Sequence, residues 1–410
     1  MDRTVRIQLH PTPEQAIALQ ETLRQFTDAF NAVCAYGWQH HEKNGVRLHH
    51  AVYRTTKEAC PGLVSDLLIQ ARVKATEALK SAFTWKAKHE ASYPKQVAKA
   101  LKRGKPAPKF KPVQCPRSKS CPIRYNLHTS TLNWDRSFVR LSTSAGKQSM
   151  PFTVPAYSAR YYGAKVATAD LCCRKGTWWL HVVVNVPEPQ VEPSKEVIGV
   201  DLGLNRPAVT SNRQFLGRRH WKEVDRRVFR LKRKLQSKGS KSAQRHLKKL
   251  KGRLARFHRD CDHVLSKRIV QKATPGSTVV LENLSNIRET SKIGRGKKHK
   301  NVEQKRRLHA WRFEQLFGFI AYKAQERGIR VERVDPRHTS QTCSRCGSQY
   351  RANRRSQSLF HCRTCGYQLN ADLNASYNIR EKYLSSLASV GISLASGSPS
   401  CDLSSQPLVG

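Results

Sequence analysis

Between residues 197 and 384 the sequence alternates short apolar segments with long amphipathic segments. The short segments have the length and composition of buried strands: Val197–Val200, Thr278–Leu281 and Ile329–Val334. The long segments have helical periodicity: Arg218–Lys272 with a break near Gly239, Leu308–Arg327, and Asn370 to about Leu384. Strands and helices in this order predict an α/β layer.

Three acidic residues occupy the ends of these predicted elements. Asp201 and Glu282 each follow a buried strand, and Asp372 lies in the first turn of the last helix, where Asn370 is a plausible cap. Ligands of open α/β sheets bind at the carboxyl edge of the strands. Each acid alone has an ordinary structural explanation, but together the three predict a site for divalent cations that act on a phosphodiester.

Four of the 12 cysteines form two CxxC pairs. The pairs are Cys343/Cys346 and Cys362/Cys365, and a glycine follows each of them. Two such pairs supply the four thiolates of a closed tetrahedral site, which leaves no position for a substrate. The sequence therefore predicts one structural Zn²⁺, with the remaining cysteines as reduced thiols.

The first half of the chain predicts a β-barrel that carries a helical insert. An alternating strand, Thr4–Leu9, leads into a capping box at Thr12 and Gln15. Helices are expected from there to Val33 and over Ser65–Trp85, followed by a basic, proline-rich connector at Lys102–Pro112. Four β-rich segments then complete the barrel: Ser137–Leu141, Met150–Val154, Lys165–Arg174 and Trp178–Val186.

A formal net charge of +46 over 410 residues points to a polyanionic partner. Nucleic acid is the natural one, because each neutralised phosphate releases counterions. Ribosomal-type or chromatin-type binding proteins share this composition. The N-terminus does not resemble a signal peptide and no apolar run is long enough to cross a membrane, so a cytoplasmic or nucleoid protein of a prokaryote is expected.

Two basic segments are candidate contacts to nucleic acid. One is the glycine-containing segment 292–307, and the other is the cysteine-rich segment 338–367. The alternatives are a plain linker for the first and a solvated basic surface for the second. Asp335 is either a further acid near the site or a residue that forms a turn before Pro336. The candidate contact residues are Arg295, Lys297, Lys298, Lys300, Arg345, Arg354 and Arg355.

With these residues in view, the chain resembles the TnpB family of transposon-encoded nucleases, relatives of the type V CRISPR effectors. The motifs occur in the family's order: GVDLGLN (199–205), LENL (281–284), DPRHTSQTCSRCG (335–347) with HCRTCGY (361–367), and NADLNAS (370–376). The later motifs are specific in combination, whereas the first half of the chain matches by layout. Residues 204–207 depart from the family, which often has a more hydrophobic run there.

The resemblance implies a multidomain α/β protein with a RuvC-like, RNase H-like nuclease domain at residues 193–337 and 368–384. Asp201, Glu282 and Asp372 would be its catalytic acids and would bind Mg²⁺ or Mn²⁺. Residues 338–367 would be a zinc-binding insert that contacts the target. Residues 1–12 and 113–192 would form a barrel, the wedge domain, with a helical recognition insert at 13–112. Residues 385–410 are expected to be a disordered tail.

The implied activity is RNA-guided cleavage of double-stranded DNA beside a short target-adjacent motif, by a monomer. The guide RNA would derive from the transposon end, and pairing would supply the sequence specificity. Three alternatives remain at this stage: a transposase that joins strands, an RNA-guided DNA-binding regulator without nuclease activity, and a zinc-ribbon RNA-binding protein. The intact acids disfavour the second, and the third leaves the spacing of the acids unexplained.

Overall fold

The computed structural model of the protein describes residues 1–285, 287, 301–356 and 358–389. The chain divides into two compact units, residues 1–187 and the residues from 188 onward. None of the helices within the described ranges is long and apolar enough to cross a membrane.

The first unit contains a seven-stranded, near-barrel sheet. Its strand order is β2-β6-β7-β1-β5-β4-β3. The hydroxyl of Tyr125 on β2, one edge strand, donates at 3.1 Å to the Ser142 carbonyl on β4, which is the neighbour of the other edge strand. The strands are β1 (Asp2–Leu9), β2 (Ile123–Tyr125), β3 (Ser130–Asn133), β4 (Phe138–Thr143), β5 (Gly146–Thr153), β6 (Lys165–Arg174) and β7 (Thr177–Asn185).

The alternation predicted for the first strand is confirmed, because Val5, Ile7 and Leu9 are all buried in the core of this unit. Lys175 and Gly176 both have positive φ, at 54° and 78°, and join β6 to β7 in the tight turn that the sequence predicts. The sequence pattern therefore predicts both the barrel-like sheet and its β6–β7 hairpin.

Three helices of the first unit follow β1: α1 (Pro13–Gln39), α2 (Gly45–Ala59) and α3 (Ser65–Leu101). Thr12 and Gln15 form the predicted capping box at α1. The helix α2 was not predicted from the sequence, and only three of its residues are buried. The helix predicted over Ser65–Trp85 has the wrong end, because α3 continues through Pro94 to Leu101.

The second unit contains a five-stranded sheet in the order β10-β9-β8-β11-β12. The strands β8 (Val197–Asp201), β11 (Thr278–Glu282) and β12 (Arg330–Val334) are parallel, whereas β9 (Ala208–Thr210) and β10 (Phe215–Leu216) pair antiparallel. The remaining elements are α4 (Arg219–Lys238), α5 (Lys241–Gln271), α6 (Asn301–Ala310), α7 (Phe313–Gln325), β13 (Leu359–His361), β14 (Gln368–Asn370) and α8 (Ala371–Ser389).

Helices cover both faces of the central strands of this sheet. Ile198 and Val200 pack in one apolar cluster with residues of α5 and α7, whereas Val197 and Val280 pack with Ile379 of α8 on the other side. Burial on both faces explains why β8 and β11 are continuous apolar runs rather than alternating ones.

Two sequence predictions for this unit need correction. The helix predicted over Leu308–Arg327 is divided, because Trp311 and Arg312 lie outside α6 and α7, and the Trp311 N–H donates to the Leu308 carbonyl in a tighter turn. The tail was predicted to begin at residue 385, but α8 continues to Ser389. The rest of the predicted tail, 390–410, lies outside the described residues.

Candidate functional site

The fold of the second unit brings the three predicted acids to one edge of its sheet. β8 and β11 are parallel neighbours in which Leu281 pairs with Val200, so Asp201 and Glu282 end adjacent strands at the same edge. Asp372 is the second residue of α8, which packs against β8. Asn370 caps this helix as predicted, because its side-chain oxygen accepts from the Asp372 and Leu373 amides at 3.1 and 3.2 Å.

All three carboxyl groups have raised pKa values, mainly because they are buried. Burial raises the pKa of Asp201 well above its usual range, and the negative charges of Glu282 and Asp372 raise it further. Burial likewise raises the pKa of Glu282 and of Asp372. The negative charges of these carboxylates repel one another, in a protein that has few acidic residues. Such a set of oxygen ligands fits divalent cations, because the charge of the cations would offset the repulsion.

Arg354 is an arginine of the cysteine-rich segment that contacts this acidic site. Its Nη2 lies 3.2 Å from Oδ1 of Asp372. Its positive charge also lowers the pKa of Asp201 and of Glu282, against the effect of burial. Arg354 was predicted from the sequence as a nucleic-acid contact. Its ion pair with Asp372 was not predicted, because the two residues are 18 positions apart and meet only in the tertiary fold.

Thr339 is a second supporting residue that the sequence analysis did not identify. It is buried, and its hydroxyl donates to Oε1 of Glu282 at 2.5 Å, which lowers the pKa of that carboxyl group. Asp335 is close enough to raise the Glu282 pKa, yet its Oδ1 accepts from the Arg337 amide at 3.1 Å, as a turn-forming residue does. Asp335 is therefore both an acid near the site and a residue that forms a turn, so both interpretations have support in the structure.

The four predicted cysteines form a compact cluster. Cys343 Sγ lies 3.7 Å from Cys365 Sγ, and Cys346 Sγ lies 3.6 Å from Cys362 Sγ. All four sulfur atoms are within 4.8 Å of one another. Tetrahedral Zn²⁺ with Zn–S bonds of about 2.3 Å requires sulfur atoms roughly 3.8 Å apart, so the cluster fits zinc.

Backbone turns around the cysteines explain how the cluster is held. Gly347 and Gly366 follow the two pairs with φ of 73° and 67°, and their amides donate to the Cys343 and Cys362 carbonyls. Amide donors, first among them that of Cys365, lower the pKa of Cys362 to about 6. At neutral pH this thiol is therefore a thiolate, the form that binds a metal.

The cysteine cluster is tied to the helix that carries Asp372. The Ser344 amide donates to Oδ1 of Asn374 at 3.0 Å. In return, the Asn374 and Asn378 amides donate to the Thr342 carbonyl at 2.8 and 2.7 Å. Both asparagines are buried in α8, so the position of the first CxxC pair and the position of Asp372 depend on each other.

The carboxylates form a looser group than the cysteines. Within the described residues, the four cysteines are the group of metal-binding side chains whose ligand atoms meet the 4.8 Å spacing. Of the other predicted contact residues, Arg345 and Arg355 are exposed, and Arg345 lies over the Tyr367 ring at 5.9 Å. The predicted contacts Arg295, Lys297, Lys298 and Lys300 lie outside the described residues.

Two family models match the second half of the chain. One described as "Probable transposase" matches residues 181–286, and one described as "Cas12f1-like, TNB domain" matches residues 313–379. The chain is 32% identical over 226 residues to the CRISPR-associated endodeoxyribonuclease Cas12f1 of Sulfoacidibacillus thermotolerans, a match that covers 50% of each protein.

Two further relatives are similar over shorter or comparable lengths. The TnpB-like protein MJ0751 of Methanocaldococcus jannaschii is 36% identical over 33% of this chain and 46% of its own length. The "Putative RNA-guided DNA endonuclease InsQ" of Escherichia coli is 30% identical over 52% of this chain and 56% of its own length. The matched part of the chain thus spans about half the length of these relatives. These matches confirm the resemblance to TnpB-like proteins that the motifs indicate.

The fold also resembles solved structures. The structure of a Cas12f1–sgRNA–target DNA complex matches with a TM-score of 0.55 at 15% identity, over 90% of this chain and 83% of the other. The mini-RNA-guided endonuclease Cas_phi3 matches with a TM-score of 0.51 at 10% identity, over 93% and 92%. At these identities the likeness concerns the fold, which is a Cas12-like fold of mixed α/β content.

Proposed function

We propose that this chain, which resembles the TnpB family, is a transposon-encoded, RNA-guided endonuclease that cuts double-stranded DNA. The observation that carries the proposal is the meeting of three buried carboxylates, Asp201, Glu282 and Asp372, at one sheet edge of a strongly basic protein. A basic protein that binds phosphates has no use for such a group unless cations lie between the acids and the substrate. The names of the Cas12f1 and InsQ relatives support the same reaction.

In this proposal, the second unit contains a RuvC-like nuclease site. The three carboxylates hold Mg²⁺ or Mn²⁺, which would activate a water molecule and stabilise the leaving oxygen of the phosphodiester. Thr339 orients Glu282 through the 2.5 Å hydrogen bond, which also lowers the pKa of that carboxyl group against the effect of burial.

Arg354 has a role in this proposal that follows from its ion pair with Asp372. In the absence of cations and DNA, its guanidinium neutralises part of the acidic cluster at 3.2 Å. When cations take over that task, the guanidinium would bind the phosphate bidentately, through two of its oxygens. Arg354 then stabilises negative charge on the phosphate during the reaction.

The cysteine cluster holds one structural Zn²⁺ in this proposal, and its segment, 338–367, contacts the target. Residues 1–12 and 113–192 form the wedge domain, and residues 13–112 form the recognition insert. These parts bind a guide RNA derived from the transposon end, and the protein acts as a monomer in the prokaryotic cytoplasm. Its surplus of 46 positive charges would be neutralised mainly by the RNA and DNA backbones.

A strand-transfer reaction is the second candidate function, because one matching family model is described as a transposase. The same acids and cations serve both reactions, but the products differ. Strand transfer joins a 3′ end to a new DNA, whereas hydrolysis leaves free ends. The site geometry alone favours neither, and the resemblance of residues 313–379 to the Cas12f1 module favours hydrolysis.

The test is to purify the protein from cells that carry its native flanking DNA and to sequence the RNA that copurifies. The complex is then incubated with Mg²⁺ and a plasmid library with randomised bases beside the target. A discrete RNA with a variable 3′ guide, together with cutting that depends on both guide and flanking bases, is expected. Cutting that ignores the RNA, or joined rather than free ends, would contradict the proposal.

A further inference from the structure

We propose that a cavity beside the acidic site binds one unpaired DNA base, next to the phosphate being cut, and favours bases that carry an exocyclic amino group. This inference rests on the proposed nuclease function and adds a substrate preference to it. The cavity has a volume of about 460 Å³, within the usual range of small-molecule sites. It lies entirely within the second unit.

The cavity adjoins the loop that follows Asp201. Residues 203–207, which line it, follow Asp201 within the same short loop. The Arg307 guanidinium donates to Oδ1 of Asn205 at 3.1 Å and to the Leu204 carbonyl, so α6 holds this loop in place. A nucleotide whose phosphate lies at Asp201 would therefore have a neighbouring base within reach of the cavity.

Several cations converge between the cavity and the acids. Burial and the charges of Arg307, Arg226 and Arg206 lower the pKa of Lys222. Arg206 and Lys222 also lower the pKa of Asp372, so both lie close enough to act on the acidic site. Cations that repel one another in this way are stabilised by an anion, and the phosphate of a nucleotide is the anion that the proposed function supplies.

The interior of the cavity differs from a simple phosphate-binding groove. Its lining includes the aromatic rings of Trp221, Phe257 and Trp311, which are surfaces on which a base can stack. It also includes two carboxylates, Asp225 and Asp262. Carboxylates repel phosphates and accept hydrogen bonds, so these two side chains favour a ligand group that donates hydrogen bonds over a second phosphate.

Asp262 is the carboxylate best suited to recognise a base. Its Oδ2 accepts from the Gln315 side-chain amide at 2.8 Å, and burial raises the pKa of this carboxyl group to about 6. It is therefore mostly ionised at neutral pH and accepts hydrogen bonds. Asp225 is already paired with His258 at 3.1 Å. Cytosine, adenine and guanine offer an exocyclic amino group to an acceptor, whereas an unpaired thymine offers only its N3–H, which lies between two carbonyl oxygens that repel a carboxylate.

The experiment uses the guide-loaded protein and DNA targets that differ only in the bases flanking the cut. Cleavage rates with Mg²⁺ are compared for cytosine and thymine at each position, for the native chain, Asp262→Asn and Asp260→Asn. Asp260 is exposed on the same helix and serves as the matched control. In parallel, the affinities of the oligonucleotides dC4 and dT4 are measured without added Mg²⁺, where no cleavage occurs.

Cytosine should be favoured over thymine by roughly fivefold or more at one position, the lower end of what one base contact provides. Asp262→Asn should abolish or invert this preference, and Asp260→Asn should keep it. Equal rates for both bases, or an unchanged preference in Asp262→Asn, would overturn the inference and would mean that Asp262 serves the α5–α7 contact alone. If no variant cleaves, the proposed function fails, and the dC4/dT4 affinity ratio decides the inference by itself.

Discussion

At the scale of single residues, the buried and mutually repelling carboxylates of the acidic site lower the stability of the fold, and a bound metal ion would remove this repulsion. Burial and mutual repulsion raise the pKa of Asp201, and Arg354 offsets this only in part. Replacing the carboxylate with a neutral group of the same shape should therefore have opposite effects on stability and on catalysis, as is typical of functional sites.

We expect Asp201→Asn to abolish cleavage, by on the order of 10³-fold or more, while guide and target binding remain. The variant should be at least as stable as the native chain without Mg²⁺, because one repelling charge is gone. Mg²⁺ should raise the melting temperature of the native chain more than that of the variant. Thermal unfolding with and without Mg²⁺ checks this expectation. Asp260→Asn, at an exposed position, is the control, and a loss of DNA binding in Asp201→Asn would contradict the catalytic assignment.

Asp262 leads to a prediction for the pH dependence of stability. Burial raises its pKa from 3.8 to about 6, so the folded state binds the proton more tightly than the unfolded state. Stability should consequently fall as the pH rises from about 4 to about 6, and stay at the lower level above that. Asp262→Asn removes this cost and should stabilise the chain at pH 7.5 by about 1–2 kcal/mol, after allowance for solvent screening.

Denaturant unfolding of the native chain and of Asp262→Asn at pH 4.5 and pH 7.5 measures this difference. The stabilisation should be large at pH 7.5 and small at pH 4.5, and Asp260→Asn should show neither effect. A variant that is less stable at pH 7.5 would mean that the hydrogen bond from Gln315 outweighs the cost of burying the charge.

At the scale of secondary-structure elements, the close approach of β8 and α8 sets the distance between two of the acids. A Cβ atom at Gly199 would lie 2.1 Å from the Ser376 carbonyl oxygen and 2.7 Å from the Arg380 amide nitrogen. Both atoms belong to the backbone of α8, which cannot yield without moving as a whole. Because Asp372 begins this helix, any displacement of α8 changes the acidic site.

We therefore expect Gly199→Ala to lower stability by about 2–4 kcal/mol and to reduce cleavage strongly. Gly318→Ala is the matched control, since a Cβ there meets no atom within 4 Å and alanine favours the helical conformation at this exposed position of α7. Chemical denaturation and cleavage rates are the measurements. Native activity in Gly199→Ala would show that the helix adjusts without disturbing Asp372.

The cysteine cluster also helps to hold α8 in position. The hydrogen bonds of Asn374 and Asn378 to Thr342 connect the first CxxC pair to α8. Cys346→Ser should lose bound zinc, destabilise this unit and reduce cleavage together. Zinc content by mass spectrometry of metals and cleavage rates test this, with Cys172→Ser on β6 as the control. A variant that is metal-free, fully folded and active would refute a structural zinc.

At the scale of the whole molecule, the sequence predicts the parts of the fold that local patterns determine. The two buried strands that end in Asp201 and Glu282, the cap at Asn370 and the cysteine pairs all follow from short-range signals. Contacts between segments that are distant in the sequence do not follow from such signals. The ion pair of Arg354 with Asp372 and the hydrogen bond of Thr339 to Glu282 arise only when the fold brings these segments together.

The short elements were also beyond prediction from sequence. β9 and β10 have only three and two residues, too few to show a period. The helix α2 buries only three residues, one of which is threonine, so its apolar stripe is too short to stand out in the sequence. Conversely, the apolar periodicity of Leu308–Arg327 continues across the break between α6 and α7 and therefore conceals it.

The net charge of +46 provides a prediction for the molecule as a whole. Without a polyanion, the positive charges repel one another, so the RNA-free protein should become more stable as salt screens this repulsion. The affinity for guide RNA should change in the opposite sense, because salt reduces the gain from releasing counterions. An interface with six to ten phosphate contacts loses about 10³–10⁵ in affinity between 50 and 200 mM salt.

Melting temperatures and RNA dissociation constants measured at 50, 100 and 200 mM salt test both effects on the same preparation. Opposite slopes are expected, since one quantity reports repulsion within the protein and the other reports attraction to phosphate. Asp201→Asn, which changes the charge by a single unit at a buried site, should show the same two slopes as the native chain. An RNA affinity that is indifferent to salt would mean that contacts to bases, rather than to the backbone, dominate, and would contradict guide recognition through phosphates.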